Sequence, residues 1–322
     1  MTHEGFKLVV PKRGVHALTE YVTAEPDVFL VTHMGLAAVD PAAWWLEVDG
    51  LVERPLRLAL ADLDALPRRE IVSVHECAGS PLTPREPKRR VGNVRWLGIP
   101  LLAVLDRAGV REDARFVWSE GLEWGEFAGL HDEPFVKDMP LAKAPDALLA
   151  THLNGAPLSP DRGGPVRLVV PGWYGTNSVK WLGRLTLADR RAPGPFTTRF
   201  YNDPGPNGPV PVWGIAPESI LVLPAPDGPP PRAGQAVEVR GWAWADGGVD
   251  RAEVSADGGA TWHRAGLEAR TGFAWQRFTW SWIPAGPGRH RLQCRCFDAH
   301  GRGQPATDAR NAVHAVELEV VV

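Results

Sequence analysis

Cysteine is scarce in this chain: three in 322 residues, at positions 77, 294 and 296. So few thiols exclude a disulfide framework. Cys294 and Cys296 stand two apart on an apparent strand and share a face, but no second pair completes the four ligands of a zinc site. They read as buried core thiols. No long hydrophobic run is present either; none approaches the ~18 residues that span a bilayer, which excludes a membrane-spanning helix. Charge of one sign is also lacking. The chain has 35 basic and 38 acidic residues, and a net charge of −3 leaves no basic field for nucleic acid. No Cys-x-x-Cys-His motif occurs, so a covalently attached haem is not expected. The opening Met1-Thr2-His3-Glu4-Gly5 has neither a twin-arginine pair nor an apolar signal core. As written, the chain is expected in the cytoplasm, or in the periplasm if an export signal has been removed.

What is present is tryptophan, fourteen against three tyrosines. Large aromatics suit a packed core, a broad interface or a walled cavity. The length suggests about two domains. Trp45 to Gly50 alternates and ends in glycine, a strand and turn. Leu101, Leu102, Val104, Leu105 and Ala108 form a helical face that Gly109 closes, with Pro100 suited to its first turn. Arg167 to Val170 is a short strand stopped by Pro171-Gly172. The mixture lacks regular βα alternation, which makes this part α+β. A proline- and glycine-rich stretch runs from Ala192 to Pro217 and marks a domain boundary. Beyond it, Ala236–Ala245, Arg251–Ser255, Phe278–Trp282, Arg289–Phe297 and Val313–Val321 read as strands, and Asp257-Gly258-Gly259 as a hairpin turn. Short strands with turns between them predict an immunoglobulin-like sandwich.

One thiol has no evident structural purpose. Cys77 follows the β-branched run Ile71-Val72-Ser73-Val74-His75-Glu76 and precedes Ala78-Gly79-Ser80, which places a soft sulfur at the mouth of a sheet. There it can ligate a metal or attack a substrate. Downstream come Val91-Gly92-Asn93-Val94-Arg95-Trp96, Leu148-Leu149-Ala150-Thr151-His152-Leu153-Asn154-Gly155, Asp161-Arg162-Gly163-Gly164-Pro165-Val166-Arg167 and Ser178-Val179-Lys180-Trp181-Leu182. With Cys-Ala-Gly, in this order, they resemble the sulfite oxidase family of molybdenum-pterin enzymes, from about Phe29 to the C-terminus.

The resemblance implies a molybdopterin-binding catalytic domain over residues 1–200 and an immunoglobulin-like dimerisation domain over 201–322. It implies an oxidoreductase that moves an oxygen atom and two electrons, with sulfite or a related small oxyanion as substrate. In that family two sulfurs from the pterin and one from a protein cysteine bind molybdenum; the cysteine matches Cys77. Thiolate softness suits such a centre. Arg162, Arg167, Ser178, Val179 and Lys180 match positions that face the pterin and its phosphate. Arg162 stands where the family usually has histidine. Phe29-Leu30-Val31-Thr32-His33 resembles a cofactor-contacting Phe-x-Arg-Asn-His stretch, so Thr32 and His33 carry over while Val31 replaces the arginine. Glu123 matches an acidic pterin contact, with a surface carboxylate as the alternative.

Two departures bear on substrate. The family places arginine soon after the cysteine, where this chain has Ser80-Pro81-Leu82-Thr83. Its active-site tyrosine lies five residues before a Pro-Leu pair, and counting back from Pro140-Leu141 gives Phe135. A buried dianion needs compensating charge, for which Arg85, Arg89, Arg90 and Arg199 are candidates. The alternatives are a reductase of sulfoxides or other oxo-compounds on the same cofactor, a non-catalytic dimeric scaffold, and a hydrolase with Cys77 as nucleophile and His75 as base. The enzyme reading implies a separate electron carrier such as a cytochrome, a small-molecule substrate and a homodimer.

Overall fold

A computed structural model describes residues 7–9, 14–80, 89–306 and 309–322. It divides into two compact units, each assembled from separate stretches of chain. The first takes residues 1–9, 29–71 and 94–213; the second takes 10–28, 72–93 and 214–322. The strands used below are β1 (Leu30–Thr32), β2 (Trp45–Gly50), β3 (Leu56–Ala59), β4 (Arg69–Glu76), β5 (Val91–Pro100), β6 (Phe116–Phe127), β7 (Leu130–Pro140), β8 (Leu148–Leu153), β9 (Arg167–Val169) and β10 (Leu182–Ala188).

A five-stranded mixed sheet in the order β3-β2-β10-β6-β7 organises the first unit. β10 runs parallel to β2 and antiparallel to β6. Strand alternation sorts its faces. Leu46, Val48, Val117, Leu185 and Leu187 point inward and are fully buried or nearly so. They join a core with Leu101, Val104 and Leu105, each buried side chain contributing about 1.5–3 kcal/mol. Those three belong to the helix Leu101–Ala108 that the periodicity predicts. Gly109 ends it at φ +71°, and Pro100 is its N-cap rather than a residue of its first turn. A second sheet places β8 between β5 and β9. Gly98 sits at a register shift there; a Cβ on it would lie 2.1 Å from the Leu149 carbonyl oxygen.

The second unit carries strands β11 (Glu218–Leu223), β12 (Val237–Trp244), β13 (Arg251–Ser255), β14 (Gln276–Trp282), β15 (Gly288–Phe297) and β16 (His314–Val320). They form two four-stranded sheets, one built on β11-β12-β14 and the other on β13-β15-β16. One core is shared by residues of both, including Leu221, Val239, Phe278, Val254, Leu292, Cys294, Cys296 and Leu318. This is the expected β-sandwich. The two cysteines are core thiols, both fully buried. Gly258 and Gly259 take φ +74° and +95° at the expected turn.

Candidate cofactor and metal site

The sequence candidates fall into two sets, one in each unit. In the first unit a cluster of cations, Arg167 and Lys180 buried and Arg162 half-buried, is built on backbone carbonyls. Arg162 donates from Nη1 to the Phe29 carbonyl at 2.8 Å, and Lys180 Nζ to the Val31 carbonyl at 2.6 Å. Arg167 donates to the carbonyls of Arg162 (3.1 Å) and Ser178 (2.9 Å), with its guanidinium 5.1 Å from the Trp96 ring. Ser178 and Val179 lie alongside β9: the Ser178 hydroxyl accepts from Val170 N at 3.1 Å, and the Val179 carbonyl from Leu168 N at 2.8 Å.

Local backbone geometry brings Lys180 across this loop. Gly163 has φ +92°, and a Cβ there would fall 2.6 Å from Lys180 Cβ. Trp181 takes φ +46° and is pinned by Nε1–H to the Pro160 carbonyl at 2.6 Å. A non-glycine residue in that region costs on the order of 1–3 kcal/mol. The rest of the fold sustains that cost at the turn that aims Lys180.

Glu123 is 2 % exposed, so it is no surface carboxylate. Its Oε2 accepts from the amides of His33 (3.3 Å) and Met34 (3.2 Å), which fixes the turn after β1. One buried carboxylate, Glu123, thus acts on Arg167 and Lys180, and the exposed Asp161 adds its charge at Lys180. Burial, the dominant cause, presses Lys180 down to about 8; Glu123 and Asp161 oppose this while Arg167 and Arg162 add to it. Burial and the Arg162 charge also lower Arg167. Two buried polar atoms, Thr32 Oγ1 and Arg167 Nε, meet no hydrogen-bond partner among the described residues. Net positive charge and unfilled polar valences are what an anionic, hydrogen-bonding guest satisfies. The residues fit a phosphate-bearing pterin.

His33 stands at the edge of this set inside an aromatic box. Phe135 stacks on it at 5.0 Å with a 20° interplanar angle, and Phe127, Phe196 and Tyr201 meet it edge-on. Its Nε2 pairs with the Tyr201 hydroxyl. Burial above all, then Lys180 and Lys137, lowers His33 to about 3 and keeps it neutral. Lys137 Nζ donates to the Phe196 carbonyl at 2.9 Å and lies 5.3 Å from the Tyr201 ring. Sequence reasoning missed Trp96, Lys137 and Tyr201. Trp96 and Lys137 lie on β5 and β7, where nothing in the sequence pattern singles out a site residue; Tyr201 lies in the proline-rich stretch, where no periodicity marks it.

In the second unit, Cys77 follows β4 at a tight turn. Its N–H donates to the Arg90 carbonyl and its carbonyl accepts from Ser80 N, both at 2.9 Å. Ser80 Oγ accepts from Arg90 N at 2.7 Å. Burial raises the Cys77 thiol, against the Gly79 amide and the Arg90 charge, which favour thiolate. A raised thiol is no activated nucleophile, which counts against a hydrolase; bound to a cation it loses its proton. That donor chemistry fits a soft-metal ligand. Next to it, Glu76 is fully buried, accepts from Trp244 Nε1 at 2.8 Å and is raised well above the usual carboxylate range by burial and by Glu218.

The candidate substrate arginines are engaged elsewhere. Arg89 lies 3.6 Å from Glu218, both side chains buried. Arg90 donates to the Gly79 carbonyl. Arg199 is exposed, 5.0 Å from the Phe200 ring. Arg85 and Pro81-Leu82-Thr83 lie outside the described residues.

Residues 33–196 match the model of the oxidoreductase molybdopterin binding domain, and 212–317 that of the Mo-co oxidoreductase dimerisation domain. The chain is 32% identical to mitochondrial sulfite oxidase of Rattus norvegicus and 34% to that of Homo sapiens, each over 94% of its length. It spans 63% of those two relatives. The crystal structure of the sulfane dehydrogenase SoxCD from Paracoccus pantotrophus superposes with a TM-score of 0.79 at 27% identity, covering 96% of this chain and 85% of that one.

Proposed function

The chain belongs to the sulfite oxidase family of molybdopterin-binding oxidoreductases, and on that premise we propose that it transfers an oxygen atom to or from a small substrate, sulfite or a related oxyanion. When bound, the molybdenum-pterin group supplies the two-electron redox chemistry; the protein supplies position and electrostatics. The observation that carries the reading is the cluster of half-buried Arg162 with buried Arg167 and Lys180, offset by a single buried carboxylate, Glu123, with Thr32 Oγ1 and Arg167 Nε unpaired among the described residues.

Each side chain then has a task. Cys77 is the protein's thiolate ligand to molybdenum. Arg162, Arg167 and Lys180 neutralise the phosphate, and Ser178 and Val179 shape the strand edge against the pterin. Thr32 offers its free hydroxyl. Glu123 holds the His33–Met34 turn, and neutral His33, paired with Tyr201, lines the edge of the site without adding charge. Phe135 has no hydroxyl to give a substrate; it provides an apolar wall that excludes water. Residues 1–200 do this work, residues 201–322 pair two subunits, and a separate carrier such as a cytochrome takes the electrons.

A sulfur-chain substrate is the second reading. Arg89 is engaged by Glu218 and Arg90 by the Gly79 carbonyl, so fewer cations remain for a dianion, and the structural neighbour SoxCD is named a sulfane dehydrogenase. Molybdenum analysis of purified protein, followed by a panel of sulfite, sulfane and sulfoxide substrates with artificial electron acceptors and donors, tests both. Near-stoichiometric molybdenum with turnover of one class supports the proposal; metal-free, inactive protein from a host that makes the cofactor overturns it.

A further inference from the structure

The outer face of the first unit's sheet carries an apolar groove edged by three carboxylates and one guanidinium. By register, Trp45, Glu47 and Asp49 of β2, Arg184 and Thr186 of β10, and Trp118, Glu120, Leu122 and Trp124 of β6 share this face. A groove of about 470 Å³ opens there, with Trp44, Trp45, Leu36, Val39 and Leu122 among its walls and Asp40, Glu47, Glu120 and Arg184 among its polar groups. Trp45, Leu122 and Trp124 are 42%, 46% and 41% exposed. Exposed apolar side chains of that size, grouped and edged by polar residues, mark an interaction surface.

Charge decides what fits. Arg184 is already shared, 2.6 Å from Glu47 and 3.5 Å from Asp49. Burial raises the Glu120 carboxyl, as do Asp49 and Glu47, and the same Arg184 guanidinium opposes them. Arg57 stacks 3.9 Å over Trp45. Asp40, Glu47, Asp49 and Glu120 thus outnumber Arg57 and Arg184 by two. A second copy offering the same face would set carboxylate against carboxylate, because a two-fold contact is self-complementary. A partner with basic side chains around an apolar contact meets the face on both counts.

Position adds the last argument. Leu122 faces this groove, while its neighbour Glu123 points through the opposite side of the same strand to the His33 and Met34 amides. The groove backs onto the cation cluster across one strand's thickness. We propose that this face docks the electron carrier: a small redox protein that presents lysine or arginine around an apolar centre. The assignment rests on the reading that electrons leave through a separate protein. Redox encounters of this kind use small interfaces steered by charge.

The test is the affinity of the full chain for a lysine-rich cytochrome c, by titration calorimetry at low ionic strength, with molybdenum content measured on the same samples. Glu120→Lys and, separately, Leu122→Lys weaken binding roughly tenfold. Glu317→Lys, the same charge change on an exposed strand of the sandwich, moves it less than about twofold, and added salt weakens the wild-type complex. Equal weakening by all three variants, no weakening by the first two, or binding indifferent to salt overturns the docking site. Sedimentation showing that Leu122→Lys dissolves a dimer overturns it in favour of a second copy. Binding with the expected variant pattern but no molybdenum defeats the enzyme reading alone. Full molybdenum with no binding defeats the docking site alone.

Discussion

The cation cluster of the first unit and the Gln276 and Gln304 networks of the sandwich bury polar groups in opposite ways. In the sandwich, Gln304 accepts from Ser219 Oγ at 2.6 Å and Cys296 N at 3.0 Å, and donates to the carbonyls of Asn311 and Ala312. Gln276 likewise closes on Val249 N, Val249 O and Glu268 O. The side-chain donors and acceptors of these two glutamines are matched within the chain. In the cluster, Arg162, Arg167 and Lys180 lean on carbonyls and have one buried carboxylate, Glu123, and Thr32 Oγ1 and Arg167 Nε stay unmatched among the described residues. Burial of charge without compensation is costly. A closed network serves the fold, and an open one is completed by a guest.

That contrast is sharpest at the metal ligand. Cys77→Ser should abolish turnover and leave the melting transition of the metal-free protein within a few degrees of wild type. A hydroxyl is a harder, weaker donor than thiolate, and retained activity would remove Cys77 from the metal.

Next in size, Arg167→Ala and Lys180→Met should each lower pterin content several-fold, measured by release and fluorescence of the oxidised pterin. Lys180→Met should also leave the cofactor-free protein as stable as wild type or more so, since it removes a buried ammonium whose two carboxylate neighbours are offset by two guanidiniums. A large loss of stability in that variant would mean the cluster is closed after all.

The opposite behaviour is expected of the sandwich. Gln304→Ala strands two donors and two carbonyls and should cost about 2–3 kcal/mol in denaturant unfolding. Pterin content of the folded fraction should not change.

The smallest effect is a pH dependence. Free of a guest, Lys180 titrates at about 8, below its unfolded value of 10.5. Between those values the unfolded chain holds the proton more tightly, so this residue's contribution to stability rises with pH there. An anion binds the protonated form and must recruit a proton above pH 8. Affinity of the cofactor-free protein for inorganic pyrophosphate should therefore fall as pH rises from about 8 to 10. A flat profile would show that Lys180 does not meet the anion.

Much of the fold was legible in the sequence. Leu101 to Ala108 carries a helical period and a glycine stop, and Trp45 to Gly50 and Arg289 to Phe297 alternate as half-buried strands do. At the site, Arg162, Arg167 and Lys180 could be paired because Gly163-Gly164-Pro165 keeps the two arginines on one corner. Glu123 was ambiguous: strand alternation decides its burial, and its strand has no continuous apolar run. Tyr201 could not be read at all, since it reaches His33 across 168 positions from a proline-rich stretch without period. The division into interleaved units was equally hidden, because residues 72–93 and 10–28 join the sandwich through contacts distant in sequence.

X-ray absorption at the molybdenum edge, on wild-type and Cys77→Ser protein loaded to equal metal content, tests the account most directly. One sulfur neighbour fewer in the variant is the predicted result. An unchanged sulfur shell would contradict it.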